Sequence, residues 1–434
     1  RLLCREPPFA IPMRSGNHVN LKLLALRVLH GEFLCSGERL RKTQNDELDF
    51  CFAMGHPLAM FRYLQAEISA SAVGENLKAL RVAAGPGVKL CVSVKCNCYG
   101  HGLGLLLPTI TAQADCLAVA TPAEAVHVRR LKYLGPLLLM FSPCSQPVAN
   151  NRDVILRELI RRGITVTVVS QQDVDVLAAM ADKLETDVEV HVMVDTGMGR
   201  EGVRAGGAAE LVEHIVRVSR VGLTGIYTHL ATSDELDKTF ARQQISLFTQ
   251  TLDACDLEPN VVRHAANSAG ALDLAESHFD MLRVGLAVYG YQPGQAESAR
   301  PKLTPALRLT GQLMQVKEVP AGSRCGYGLT FECARPTRLG LVPIGYGDGY
   351  LRCLSGLSQM RLGEQLVPVV GRISMDQTIV DLTDAPVAAP GDVVEIISPN
   401  PADPHSVENL AELAGTIPYE ITTRLGHRVR RKLV

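Results

Sequence analysis

The chain has 434 residues, 47% of them apolar and 21% charged, which is long enough for one barrel with an appended domain. Its 44 basic and 45 acidic residues nearly cancel, so no cationic footprint points to nucleic acid, and no apolar run is long enough to cross a bilayer. The 12 cysteines are scattered and include no C-x-x-C pair; this excludes a regular disulfide framework, weakens a zinc reading, and with reduced thiols places the chain in the cytoplasm.

Residues 1–59 show no sustained period and are set aside as an N-terminal extension. From 60 to 302, short apolar runs alternate with helix-like segments. The runs are "KLCVSVK" (89–95), "CLAVA" (116–120), "LLLMFS" (137–142), "ITVTVV" (164–169), "VEVHVMVD" (188–195), "GLTGIYTH" (222–229), a weaker one near Val261 to His264, and "MLRVGLAVYG" (281–290). Between the second and third, Thr121 reads as an N-cap, Pro122 as the first helical residue and Glu124 as a capping-box partner. Eight strands with helices between them predict an α/β fold, a (β/α)8 TIM-like barrel. From 303 to 434 the strands lack helix-length spacers, as in a mostly β C-terminal domain, with one helix near "SVENLAELAG" that ends at Gly415. The basic tail "RLGHRVRRKLV" reads as a terminal strand with a solvated face.

Polar residues just past the C-terminal ends of barrel strands line the active-site mouth in this architecture. Lys95 in "CVSVKCNCYGHG" (91–102) ends the first strand, beside cysteines and His101 that also suggest a metal. A lysine there is costly to bury unless its amine is neutral or covalently used, which favours a Schiff-base lysine over one that snorkels to the rim. Asp195 and Arg200 follow the fifth strand, His229 the sixth, and Asn267 with Ser268 the seventh; Arg283 and Gly285 lie on the eighth. "NSAG" and "RVGL" offer backbone N–H groups and the Ser268 hydroxyl for a phosphate, with Tyr99 able to add its phenol. An amine and a phosphate cradle in one barrel suggest pyridoxal 5′-phosphate (PLP). His229 alone reads as a core histidine, Asp195 and Asp348 as turn caps, and Tyr327 in "CGYGLTF" as a turn aromatic.

The stretch "VKCNCYGHG" resembles the PLP-binding signature of the alanine racemase family, with Cys96 and Cys98 where that signature carries alanines. "VDTGMGREGV", "THLATSDE", "NSAG", "LRVGLAVYGYQP", "CGYGLTF", "IGYGDGYLR", "GRISMDQTIVDLT" and "IPYEI" follow in the family's order, so the resemblance covers residues 60 to 434. It implies a homodimer that interconverts L- and D-alanine and supplies D-alanine for bacterial peptidoglycan. Lys95 would hold the cofactor and serve as one acid/base group. Tyr327, reaching in from the partner subunit, would be the other, on the opposite face of the substrate Cα. His229 would sit between Tyr327 and Arg283, and Arg283 would face the pyridine nitrogen. Arg200 would meet the substrate carboxylate, with Met375 and Asp376 of the partner subunit closing over it. Tyr99, Ser268, the N–H groups of Gly285 and Leu286, and Tyr419 would hold the phosphate.

One position departs from the family pattern. Many members carry a lysine seven residues before the matched arginine, and its carbamate positions that arginine; here the residue is Met193. A thioether carries no charge, so Arg200 needs another anchor. A serine or broader-specificity racemase and a non-catalytic PLP-binding protein are the alternatives. The presence of a β domain and of Tyr327 argues against the second.

Overall fold

The computed structural model describes residues 63–144, 151–294, 300–385 and 387–434, plus a two-residue antiparallel pair at Leu34–Cys35 and Glu38–Arg39. The rest of the expected N-terminal extension lies outside the described residues.

Eight parallel strands form the barrel: Lys89–Ser93, Cys116–Val119, Leu137–Leu139, Thr165–Val168, Val188–Asp195, Val221–Tyr227, Val262–His264 and Met281–Val284. Each matches one of the eight apolar runs. They are hydrogen-bonded in chain order, and Met281–Val284 returns to pair with Lys89–Ser93. The seventh and eighth strands form no regular ladder. Two backbone bonds of 2.9 Å close the gap, from Asp280 N–H to Arg263 C=O and from Arg283 N–H to Ala266 C=O. Helices follow the strands where their caps allow. Thr121 and Glu124 complete the expected capping box on Pro122–Arg130. Part of the interior is an apolar cluster of Cys91, Cys116, Ala118, Leu138, Met140 and Met281.

The second sheet has nine strands, all but one of its pairings antiparallel. The segment "ALRLTGQLMQVKEV" holds two of these strands, Leu307–Gln312 and Gln315–Val319. The tail forms the strand Arg430–Leu433, and Gly415 ends the helix Val407–Ala414 with φ 67°. "IPYEI" opens a further helix, Pro418–Thr423, which lay unread among the strands.

The expected barrel boundary at residue 60 needs one correction. Leu64–Ile68 is a strand of the β domain, antiparallel to Leu307–Gln312 on one side and parallel to Arg430–Leu433 on the other. Its alternating burial suits a sheet covered on one face, whereas barrel strands such as Cys116–Val119, Leu137–Leu139 and Thr165–Val168 are buried along their whole length.

Candidate active site

At the C-terminal mouth of the barrel, a cavity of about 100 Å³ is lined by Ser93, Lys95, Tyr99, Met140, His229, Asn267, Ser268, Arg283, Gly285, Leu286 and Tyr419. Lys95 opens a turn in which Cys96, Asn97, Cys98 and Tyr99 all have φ between 50° and 55°, a single left-handed helical turn. Such a turn costs roughly 1–2 kcal/mol per non-glycine residue, so its surroundings must hold it in place. Glu124 accepts the Cys96 N–H at 2.7 Å, and the Asn97 side chain accepts that of Leu103 at 2.7 Å. Cys98 is buried, while Cys96 is exposed. His101 belongs to the turn, its ring stacked on Tyr289 and its Nδ1 against the carbonyls of Cys98 and Tyr99. Burial lowers the proton affinity of the Lys95 amine; Arg200 and Arg283 push the same way, against Cys96 and Glu124.

Arg283 is 4% exposed and lies with its guanidinium over the Tyr227 ring, 4.9 Å from the centroid. Nη2 donates to the carbonyls of Thr228 (2.8 Å) and Ala265 (3.1 Å) and to His229 Nδ1 (3.2 Å), and Nη1 donates to His264 Nδ1 (2.9 Å). Because arginine only donates, the His229 proton sits on Nε2. Burial, reinforced by Arg283, Arg200 and Lys95, pushes the His229 pKa down to about 3, so the ring is neutral. Arg283 Nε is buried and has no hydrogen-bond partner.

On the other wall, Ser268 Oγ accepts from the N–H groups of Gly285 (2.8 Å) and Ala287 (3.4 Å). The Tyr99 hydroxyl donates to Ser93 Oγ at 3.3 Å, and its ring lies 5.9 Å from that of Tyr419. A β-carbon on Gly285 would lie 2.2 Å from the Tyr99 oxygen, so only glycine lets this backbone approach. Hydroxyls and backbone N–H groups around a small hollow suit a phosphate. The unpartnered Nε–H of Arg283 suits an aromatic nitrogen acceptor, and the Lys95 amine suits an aldehyde. These are the three functional ends of PLP, and the residues fit it.

Lys95, Tyr99, His229, Asn267, Ser268, Arg283, Gly285, Leu286 and Tyr419, all candidates from the sequence, meet in this cavity. Ser93 and Met140 were not singled out; each lies at an inward-facing strand end, the one signal that marked them. Arg200, Tyr327, Met375 and Asp376 do not line the cavity. Arg200 sits on the loop after Val188–Asp195, its guanidinium 5.7 Å from the Phe141 centroid. Met193 is buried within that strand. Tyr327 (69% exposed) and Met375 (54% exposed) stand on the surface of the β domain, and Asp376 is bonded to Arg428. Asp195 and Asp348 are turn caps: Asp195 accepts the N–H groups of Gly197 and Gly199, and Asp348 that of Gly345.

Residues 68–293 match the family described as "Alanine racemase, N-terminal domain", and residues 306–433 match "Alanine racemase, C-terminal domain". The chain belongs to the alanine racemase family. Among curated family members, the alanine racemase of Desulfovibrio desulfuricans is 37% identical over 378 residues, covering 86% of this chain and 98% of its own. That of Methanococcus maripaludis is 34% identical over 373 residues, covering 84% and 97%. The crystal structure of alanine racemase from D-cycloserine-producing Streptomyces lavendulae superposes with a TM-score of 0.78 at 35% identity, covering 86% of this chain and 97% of that one. Barrel and β domain are thus both family features. Among the described residues, no helix is long and apolar enough to cross a membrane.

Proposed function

We propose that this chain is a PLP-dependent racemase interconverting L- and D-alanine, working in the cytoplasm to supply D-alanine for peptidoglycan. The observation that carries this reading is the cavity itself. It places a deprotonation-prone lysine, an unpartnered arginine Nε–H and a cradle of hydroxyl and backbone N–H groups around one hollow. Bound there, PLP would supply an electron sink for negative charge at the substrate Cα.

The rest of the chemistry belongs to the chain. Tyr99, Ser268, Tyr419 and the N–H groups of Gly285 and Leu286 would hold the PLP phosphate. Arg283 would donate a hydrogen bond to the ring nitrogen without giving up a proton, because a guanidinium stays charged. Lys95, the amine that would hold the cofactor, would move a proton on one face of Cα. Tyr327 of the partner subunit moves one on the other face, so each face has its own acid/base group. His229, neutral and fixed by Arg283, presents its Nε2–H toward that phenol. Arg200 binds the substrate carboxylate, with Met375 and Asp376 of the partner subunit across from it.

The exposure of Tyr327 and Met375 supports a homodimer in which each β domain completes the other copy's site. Chiral chromatography of alanine and serine incubated with purified protein, with and without added PLP, tests this reading. The expected result is PLP-dependent racemisation of alanine. No turnover with PLP present, or turnover of serine but not alanine, would overturn it.

A further inference from the structure

The hydrogen bonds of Arg283 do not stop at the cofactor cavity. Its Nη1 donates to His264 Nδ1 at 2.9 Å, and His264 Nε2 lies 3.0 Å from His191 Nδ1. The three residues come from three strands, Met281–Val284, Val262–His264 and Val188–Asp195, and run down the barrel interior. All three are buried, where an unpaired polar atom is costly, and Cys116, Leu138 and Met281 stand beside His191. The polarity of the chain follows from its first member. Arginine only donates, so His264 accepts at Nδ1 and carries its proton on Nε2. His191 then accepts at Nδ1 and carries its proton on Nε2 as well.

Two features show that this thread is built in. The Tyr227 ring lies flat against both Arg283 and His264, stacked on the imidazole at 4.8 Å and 13°. Gly225 makes room for His191: a β-carbon there would lie 2.5–2.7 Å from three atoms of the ring. Both histidines are held neutral, His191 by burial and then Arg283, which push its pKa down to about 3. The thread ends at a second cavity, of about 280 Å³, at the opposite mouth of the barrel. His191 lines it with Lys89, Thr165, Glu189 and Asn260.

We infer that His264 and His191 are positioning residues, a polarised imidazole pair that holds Arg283 with its Nε–H aimed into the cofactor cavity and that solutes reach from the opposite mouth of the barrel. This rests on reading the upper cavity as the cofactor site. A pair that merely filled the core would have no exit, whereas this one opens on a cavity separate from the one lined by Lys95 and Arg283.

Two measurements test the inference. In protein labelled with ¹⁵N-histidine, without cofactor and with it, the side-chain shifts of His191 and His264 should report the Nε2–H neutral tautomer from about pH 6 to 8. An Nδ1–H tautomer or a charged ring at either position would overturn the thread. In the second measurement, His191→Gly should lower kcat about tenfold, the loss of one aligned buried hydrogen bond, with KM for alanine unchanged. Free imidazole and 1-methylimidazole should both restore kcat without competing with alanine, since His264 needs only an acceptor. His191→Gln, which keeps an acceptor, should stay near the parent. Wild-type turnover in His191→Gly, or rescue that competes with alanine, would overturn the inference. If that variant does not fold, the tautomers of the unaltered protein decide. A parent protein that fails to racemise alanine refutes the proposed function but leaves the tautomer result standing.

Discussion

The backbone of Gly285 runs so close beneath the Tyr99 phenol that a β-carbon would lie 2.2 Å from its oxygen. Gly285→Ala therefore has to displace Tyr99 from Ser93 and from the hollow, since the buried tyrosine is flanked by the tilted rings of Tyr289 and Tyr419. PLP affinity should fall about tenfold or more, the cost of one broken buried hydrogen bond and its rearrangement. Fluorescence titration of cofactor-free protein measures it, and affinity unchanged from the parent would remove Tyr99 from the cradle.

Lys95 is the amine at the cavity, its ammonium form disfavoured by burial. Borohydride reduction of the loaded protein should fix the cofactor on the peptide containing Lys95, as read by mass spectrometry. Lys95→Ala should trap nothing and lose about a thousandfold or more in turnover. Trapping at any other lysine would contradict the assignment.

Tyr327 stands 69% exposed, far more open than the side chains lining the cavity. Lys95→Ala and Tyr327→Phe should each be nearly inactive as pure proteins. Unfolded together and refolded as a mixture, they should recover a substantial part of the parent activity, because one site of each mixed dimer keeps both groups. No recovery, with mixed dimers shown to form, would mean that lysine and tyrosine serve the same copy's site.

Among the described residues, five histidines with depressed pKa values make the fold sensitive to mild acid. Burial pushes His229 and His191 down to about 3 and His101 to about 4, and lowers His264 and His405, against about 6.5 in an unfolded chain. A depressed histidine pKa means that below pH 6.5 the unfolded chain binds protons that the folded chain does not. Stability is therefore full above that pH and falls as the pH drops toward 3. At pH 5 the loss is about 2 kcal/mol for each of His229 and His191. Calorimetry should show Tm falling between pH 7 and 5, while most carboxylates are still ionised. A flat Tm over that range would mean that the rings are charged in the folded protein.

Phe141 faces the Arg200 guanidinium at 5.7 Å, while Met193 offers that arginine no charge. Phe141→Leu should raise KM for alanine about two- to fivefold with kcat little changed, the size of one exposed cation–π contact. An unchanged KM would place the anchor of Arg200 elsewhere.

The barrel was legible because strands buried on both faces read as continuous apolar runs, and "TPAEAVHVRRL" carried a complete helix start. Leu64–Ile68 was not, because its partners lie some hundreds of residues away and an alternating strand does not name its sheet. The left-handed turn at 96–99 was hidden for a different reason: of its four residues only Asn97 favours that conformation, and the turn is held by Glu124 from another segment. Lys95, Tyr99, Ser268 and Arg283 were visible as polar residues at strand ends. His191 and His264 carry no sequence signal of their own, since only the register of neighbouring strands brings their rings together. Tyr327 was found through family resemblance, as nothing in "CGYGLTF" tells a turn aromatic from a reactive one.

The place of Leu64–Ile68 in the second sheet also bears on how the molecule is made. Barrel strands pair with near neighbours in chain order, so the barrel can close while the ribosome is still adding the β domain. Leu64–Ile68 emerges before any of them and must wait for Leu307–Gln312 and then, last of all, for Arg430–Leu433. A nascent chain released short of residue 430 would carry a finished barrel beside a strand with one bare edge, a template for pairing with other chains.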